Sequence, residues 1–191
     1  MIWAGMTSGY LIGPYFFYGP MNEASYSALL ETWLIPRLRD RRLLHDVCLH
    51  HDGTPAHFAL SVRDVLNEHF PGRWIGRGSP TSPAPLPWPP RSPDLTTPDN
   101  SFWGIIKGRV AARRNNNNED LRRAVEDAFR TITPKMLRHI HRGHGGASVC
   151  VSSMKVRTYG LTGHVTKAYV SDSNQIMVAY LSVYGDFSPT L

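Results

Sequence analysis

Leu49–His57, LHHDGTPAH, sets three histidines and one aspartate directly behind an apolar run. Three readings compete for it: a zinc cluster, a carboxylate carried at the end of a strand, and a polar turn. Zinc requires four convergent ligands. Neither His50, His51 and His57 with Cys48 nor His139, His141 and His144 with Cys150 has the spacing of a standard Cys/His site. Asp46 to Asp52 has the content of a short strand, on which His50 shares a face with Cys48 and Asp52 while His51 takes the other. Asp52 then stands at a strand end, where open α/β sheets present ligand-binding groups from a rigid edge. Asp52-Gly53 is equally a good turn dipeptide, and His57 can support the Asp52 loop or simply pack.

Working outward, Phe58, Val62, Val65 and Leu66 form the apolar stripe of a helix stopped by Pro71-Gly72, and Arg73 to Arg77 reads as another short strand. Upstream, Ile2 to Met6 and Tyr10 to Phe17 have the aromatic and branched content of a hairpin around Thr7-Ser8-Gly9. Asn22 is a candidate N-cap for a helix bearing Tyr26, Leu29, Leu30, Trp33 and Leu34, which Pro36 should kink or end. Downstream, residues 78–93 are a proline-rich loop that cannot join a sheet interior. A helix is predicted to begin near Asp99 with Phe102, Trp103, Ile105, Ile106 and Val110. Asn118 can cap the next, and Thr133-Pro134 starts a last one that ends at Gly143. From about His144 the texture turns to Gly, Ser, Val and Tyr. Val149, Val151, Met154 and Val156 look strand-like, but nothing local attaches this tail to what precedes it.

The 191 residues suit one domain plus a tail. A net charge of +6, from 21 Lys and Arg against 15 acids, suits contact with phosphate. Two cysteines exclude a disulfide framework and favour a reducing compartment. The apolar opening lacks a basic start and is broken by Gly5, Gly9, Gly13 and Pro14, so neither a secretory leader nor a membrane span is expected.

Five runs carry a resemblance: WAGMTSGYLIGPYFF (3–17), LLETWLIPRL (29–38), HHDGTPAH (50–57), LNEHFPGRWIGRG (66–78) and WPPRSPDLTTPDNSFWG (88–104). From about Ile2 to Arg142 the chain resembles the catalytic domain of Tc1/mariner-type transposases. That resemblance implies an α/β fold, a ribonuclease H-like mixed sheet flanked by helices. It also implies three acids holding two Mg²⁺ or Mn²⁺ ions for DNA cleavage and strand transfer. Asp52 matches the second acid and Asp99 the third, and Asp94 belongs to the motif without being a ligand. DNA as partner, a nuclear location and a possible homodimer follow from the same resemblance.

Three departures shape the expectation. The family's first acid lies on a central strand just upstream of the W-A-G run, on which this chain opens, so two of three metal ligands are expected. Asp46 cannot replace it, lying about 20 Å from Asp52 at strand rise. The family's N-terminal helix-turn-helix is not matched. Its C-terminal helices are replaced by residues 143–191, a divergent tail beside a domain at 1–142. Without the central strand, either the hairpin pairs directly with the Asp52 strand or the fold is marginal, because unpaired buried backbone groups are costly. Arg73, Arg77, Arg91, Lys107 and Arg109, with Arg113 and Arg114, flank the acidic positions as candidate phosphate contacts or as a plain solvated basic surface, and Trp74, Trp88 and Trp103 are candidate stacking residues, Trp103 suiting the core better. The expected function is a transposase remnant, nucleic-acid binding and inactive alone. The alternatives are a catalytically dead non-specific DNA-binding protein and a translated remnant without function.

Overall fold

The computed structural model describes residues 1–51, 54–87, 97–143 and 175–182. Strands β1 (Ile2–Met6) and β2 (Leu11–Phe16) pair antiparallel through a tight turn, where the Thr7 hydroxyl accepts from the Gly9 and Tyr10 amides. Their register shifts between Trp3 and Gly5, opposite Gly13 at φ +132°. A Cβ at Gly13 would come within 3.1 Å of the Trp3 carbonyl oxygen, so this crossing requires glycine. Strands β3 (Val47–His50), β4 (Trp74–Gly76) and β5 (Leu86–Pro87) are mutually parallel. The sixth strand, β6 (Gln175–Ser182), lies between β1 and β3, giving the order β2-β1-β6-β3-β4-β5. Both edge strands contain a proline, Pro14 or Pro87, which removes a donor where another chain could pair.

Helices cover both faces. On one lie α1 (Glu23–Ala28), a π-helical turn (Leu29–Leu34), α2 (Ile35–Asp40) and α3 (Leu60–His69). Their core joins Tyr26, Leu30, Leu34, Val62 and Leu66 to Trp3, Val47, Leu49 and Trp74 of the sheet. On the other lie α4 (Thr97–Ala111), α5 (Asn118–Arg130) and α6 (Pro134–Gly143). There Phe102, Trp103, Ile106, Val125 and Phe129 meet Ile2, Ala4, Met6 and Phe16. The alternation of Trp3 against Ala4, and of Val47 and Leu49 against Cys48, is the two-residue period that lets one strand serve both layers.

The largest difference from expectation is in the centre of the sheet. The hairpin and β3 do not pair directly, because β6 fills the slot between them, antiparallel to β1 and parallel to β3. The reason is the cost of two orphaned strand edges, which the apolar segment QIMVAYLS relieves on both sides at once. Residues 149–156, singled out from sequence as strand-like, lie outside the described residues.

Two local expectations also change. Pro36 does not end its helix: the preceding turn widens, the Ile35 amide bonds back to the Leu30 carbonyl, and the chain stays helical to Asp40. The cap of α5 is Asn117 rather than Asn118, its side chain accepting from the Asp120 amide. In a run of four asparagines all can cap, and the one preceding the first helical residue does so. Asn22 caps α1 as expected, with Ser25 completing a capping box, and Thr133 accepts from the Met136 amide ahead of α6.

Candidate functional site

The end of β3 is held from three sides. Toward β4, the Leu49 amide donates to the Arg73 carbonyl at 2.9 Å and the His51 amide to the Ile75 carbonyl at 3.1 Å. Toward β6, His50 is aligned with Val178, which is itself aligned with Met6 of β1. Toward the α1 layer, His51 and His57 flank the turn and both stack near Tyr26. Ring centroids are 4.3 Å apart for Tyr26 and His57, 5.2 Å for His51 and His57, and 6.2 Å for His51 and Trp74. His50, His51 and His57 are all buried, and His57 closes a 3₁₀ turn by donating its amide to the Thr54 carbonyl at 2.9 Å. His51 and His57, on either side of Asp52 in sequence, are thus held in a packed aromatic cluster, which fits a packing role for these rings better than ligation. Among the described residues no three His, Cys, Asp or Glu groups converge as a metal cluster. Burial pushes the Cys48 thiol up to about 12, against a smaller pull from Arg73, so it is protonated and unreactive at neutral pH.

Asp52 lies outside the described residues, as do Trp88, Arg91 and Asp94. Asp99 falls in the first turn of α4, four and seven positions ahead of Trp103 and Ile106, which pack against β1. Cys48 and His50 lie by strand parity on the sheet face that α4 covers. The part of β6 that runs on past the level of His50 is Ala179–Ser182, aligned with Gly5 to Ile2, and it contains no acid.

The basic candidates separate into two kinds. Arg73 is committed to the fold, its guanidinium donating to the carbonyls of Leu44 at 2.9 Å, Val47 at 2.7 Å and His69 at 3.3 Å. It ties the start of β3 to the end of α3. Arg109 donates to the Thr131 hydroxyl, and Arg113 pairs with Asp127 at 2.7 Å, joining α4 to α5. The Arg113 hydrogen bond holds the Asp127 carboxyl below its usual range. Arg77 is exposed and its guanidinium lies over the Phe58 ring at 4.7 Å, and Lys107 is exposed. Trp74 and Trp103 are 1% and 2% exposed and belong to the core, so they are closed to stacking with a ligand. Sequence reasoning missed Arg63. It is buried on α3 and donates to the Ser79 hydroxyl and the Ser82 carbonyl, fixing the start of the proline-rich loop. A cation interrupting an otherwise helical apolar stripe beside Val62 was the available signal.

No protein-family model matches the chain. In sequence it is similar to the Tc3 transposase of Caenorhabditis elegans, 28% identical over 144 residues that make up 74% of this chain and 40% of the relative. The chain thus spans well under half the length of that curated relative. In fold it is similar to the Mos1 transposase catalytic domain solved with raltegravir and Mn. The TM-score is 0.53 at 24% identity, over 75% of this chain and 67% of that one. The likeness in fold supports a ribonuclease H-like mixed α/β architecture, and the likeness in sequence is to a transposase of the Tc1/mariner type. Among the described residues no helix is long and apolar enough to cross a membrane.

Proposed function

We propose that this chain is a transposase-derived nucleic-acid-binding domain. Its ancestral reaction is Mg²⁺- or Mn²⁺-dependent cleavage and strand transfer of DNA, the chemistry of DNA integration in the nucleus, and it does not perform that reaction alone. The observation that carries the second half is the composition of β6. The strand beside the end of β3 is QIMVAYLS, which offers a metal no carboxylate. Divalent hard cations take oxygen ligands, and a pair of them shared between substrate oxygens needs several carboxylates held rigidly. Asp52 after β3 and Asp99 on α4 remain as the two acids of the site. A donor set of two does not fit a two-metal centre, so no catalytic step is assigned to it.

DNA affinity is supported by the charge of +6 and by two exposed cations, Arg77 over Phe58 and Lys107 on α4. Arg77, Arg91, Lys107 and Arg109 are the proposed phosphate contacts. Arg73 acts behind them by holding β3 and β4 in place. Such contacts bind backbone without reading sequence.

Binding to duplex DNA across a salt series, followed by a nicking assay with Mg²⁺ or Mn²⁺, tests both halves. The expected result is affinity that falls steeply with salt and no metal-dependent cleavage. Salt-independent or absent binding removes the nucleic-acid reading. Cleavage that Asp52→Asn abolishes removes the inactivity reading and restores the enzyme.

A further inference from the structure

We propose that the cleft at the β2 edge of the sheet binds a small aromatic oxyanion, a flat ring carrying a phosphate or a carboxylate. The cleft has a volume of about 570 Å³, within the range of about 300–1,000 Å³ that small-molecule sites occupy. Its walls come from both layers: the hairpin from Gly9 to Phe16, α5 and the start of α6 on one face, and Arg41 just past α2 on the other. It therefore opens around the outer edge of β2, three strand spacings or about 14 Å from β3. None of its cations is among the proposed phosphate contacts, so this inference does not depend on DNA binding or on cleavage.

Charge selects an anion. Arg41, Arg122 and Arg130 line the cleft against one carboxylate, Glu126. Arg122 is already occupied: it pairs with Glu126 at 3.3 Å, donates to the Tyr18 hydroxyl and lies over the Phe16 ring at 4.7 Å. That pair cancels its own charge and stiffens the wall. Arg130 shares Asp127 with Arg113, one carboxylate serving two guanidiniums. Arg41 has no carboxylate partner among the described residues, its guanidinium donating to the Arg37 carbonyl at 3.4 Å. Both Arg41 and Arg130 are exposed, and a guanidinium has more donors than these bonds use. Two planar forks therefore keep N–H groups for an incoming carboxylate or phosphate.

The apolar side selects a ring. Gly13 carries the hairpin close to α5, where a Cβ would stand 3.3 Å from the Phe129 ring, and Leu11, Phe129, Ile132 and Leu137 complete an apolar wall. Among the described residues three large apolar side chains are strongly exposed, and two of them belong here. Tyr10, 45% exposed, lines the cleft, and Tyr18, 64% exposed, backs Arg122. A single exposed aromatic signifies little, but aromatic faces beside incompletely neutralised guanidiniums recognise a ring and its charge together. Inorganic phosphate alone satisfies only the second half of that arrangement.

Titration of the full chain with phenyl phosphate, phenylacetate, inorganic phosphate and benzyl alcohol, followed by amide NMR, tests the site, with Gly9, Leu11 and Gly13 as reporters. The expected result is saturable shifts at these amides with phenyl phosphate or phenylacetate, the tighter of the two identifying the headgroup. Its affinity is expected to exceed that of inorganic phosphate and of benzyl alcohol by about tenfold or more. Arg41→Ala combined with Arg130→Ala, both exposed and outside the cores, should weaken binding by about tenfold while the β1 and β3 amides keep their positions. Tyr10→Ala should weaken the aromatic ligand and leave inorganic phosphate unchanged. Shifts that are absent or miss these amides, equal affinity for phenyl phosphate and inorganic phosphate, or binding untouched by the double variant would each overturn the site.

Discussion

Val178 is aligned with His50 of β3 on one side and with Met6 of β1 on the other, the single position of β6 that borders both. A proline there removes a ladder donor and clashes with the neighbouring strand, a change that costs about 3 kcal/mol or more in a regular element. Val178→Pro is expected to lower the urea midpoint sharply. It should also deprotect the amides of β1 and β3 together in hydrogen exchange, while α5 and α6 lose protection last. Unchanged protection at Leu49 and Ala4 would show that β6 is not the central strand.

Two arginines four positions apart give opposite outcomes. Arg73 satisfies three backbone carbonyls from within the fold, and charge-assisted bonds are worth about 1.5–3 kcal/mol each when removal leaves the partner buried. Arg73→Met is expected to destabilise by about 3 kcal/mol and to change DNA affinity only through lost folded protein. Arg77→Ala, at an exposed residue whose ring contact is Phe58, should cost no more than about 1 kcal/mol. It should weaken DNA binding evenly across sequences and reduce the salt slope by about one. Thermal melts paired with fluorescence anisotropy separate the two, and a large stability loss in Arg77→Ala would contradict its placement.

The asparagine run offers an internal control. Asn117 accepts from the Asp120 amide, whereas Asn118 is the first residue of α5. Asn117→Ala is expected to cost about 1 kcal/mol, as cap removals do, and Asn118→Ala less than about 0.5 kcal/mol. Equal losses in chemical denaturation would mean that the cap is shared between them.

What was readable in the residues follows the range of the interactions involved. The hairpin, α3, α5 and α6 rest on contacts within a few residues. Their signals are the Thr7-Ser8-Gly9 turn, Pro71-Gly72, and Thr133-Pro134. The strand read from Asp46 to Asp52 is observed as Val47–His50, and Asp52 itself lies outside the described residues. The place of β6 was not readable, because strand pairing across the chain leaves no local mark. An uninterrupted apolar run such as IMVAYL says only that the segment is buried, and the alternation at Val149 to Val156 is the more conspicuous strand signal. The widened turn before Pro36 escaped for a related reason, since Leu29, Leu30 and Leu34 satisfy an α and a π register alike. In sequence Arg73 reads as a phosphate contact, because its carbonyl partners, Leu44 and Val47, are remote along the chain.

Cys48 gives a prediction in which pH alone is the probe. Its thiol rises from 9.0 to about 12 on burial, so the folded state holds the proton more tightly than the unfolded chain does. A group whose folded value is raised contributes stability that is complete below the unfolded value and is lost as pH climbs toward the folded one. Below about pH 9, therefore, Cys48 imposes no pH dependence. Between 9.0 and about 12 the unfolded chain ionises first, and stability falls by about 1.4 kcal/mol per pH unit from this residue. Tyrosines and lysines titrate in the same window, so the readout is a difference. Urea unfolding from pH 8 to 10.5 is compared for the unaltered chain and Cys48→Ala, which carries a constant cavity cost but no thiol. The two stability curves should run parallel up to pH 9 and then converge as the unaltered chain loses its advantage. Curves that stay parallel to pH 10.5 would place Cys48 in contact with solvent and β6 outside the slot that covers it.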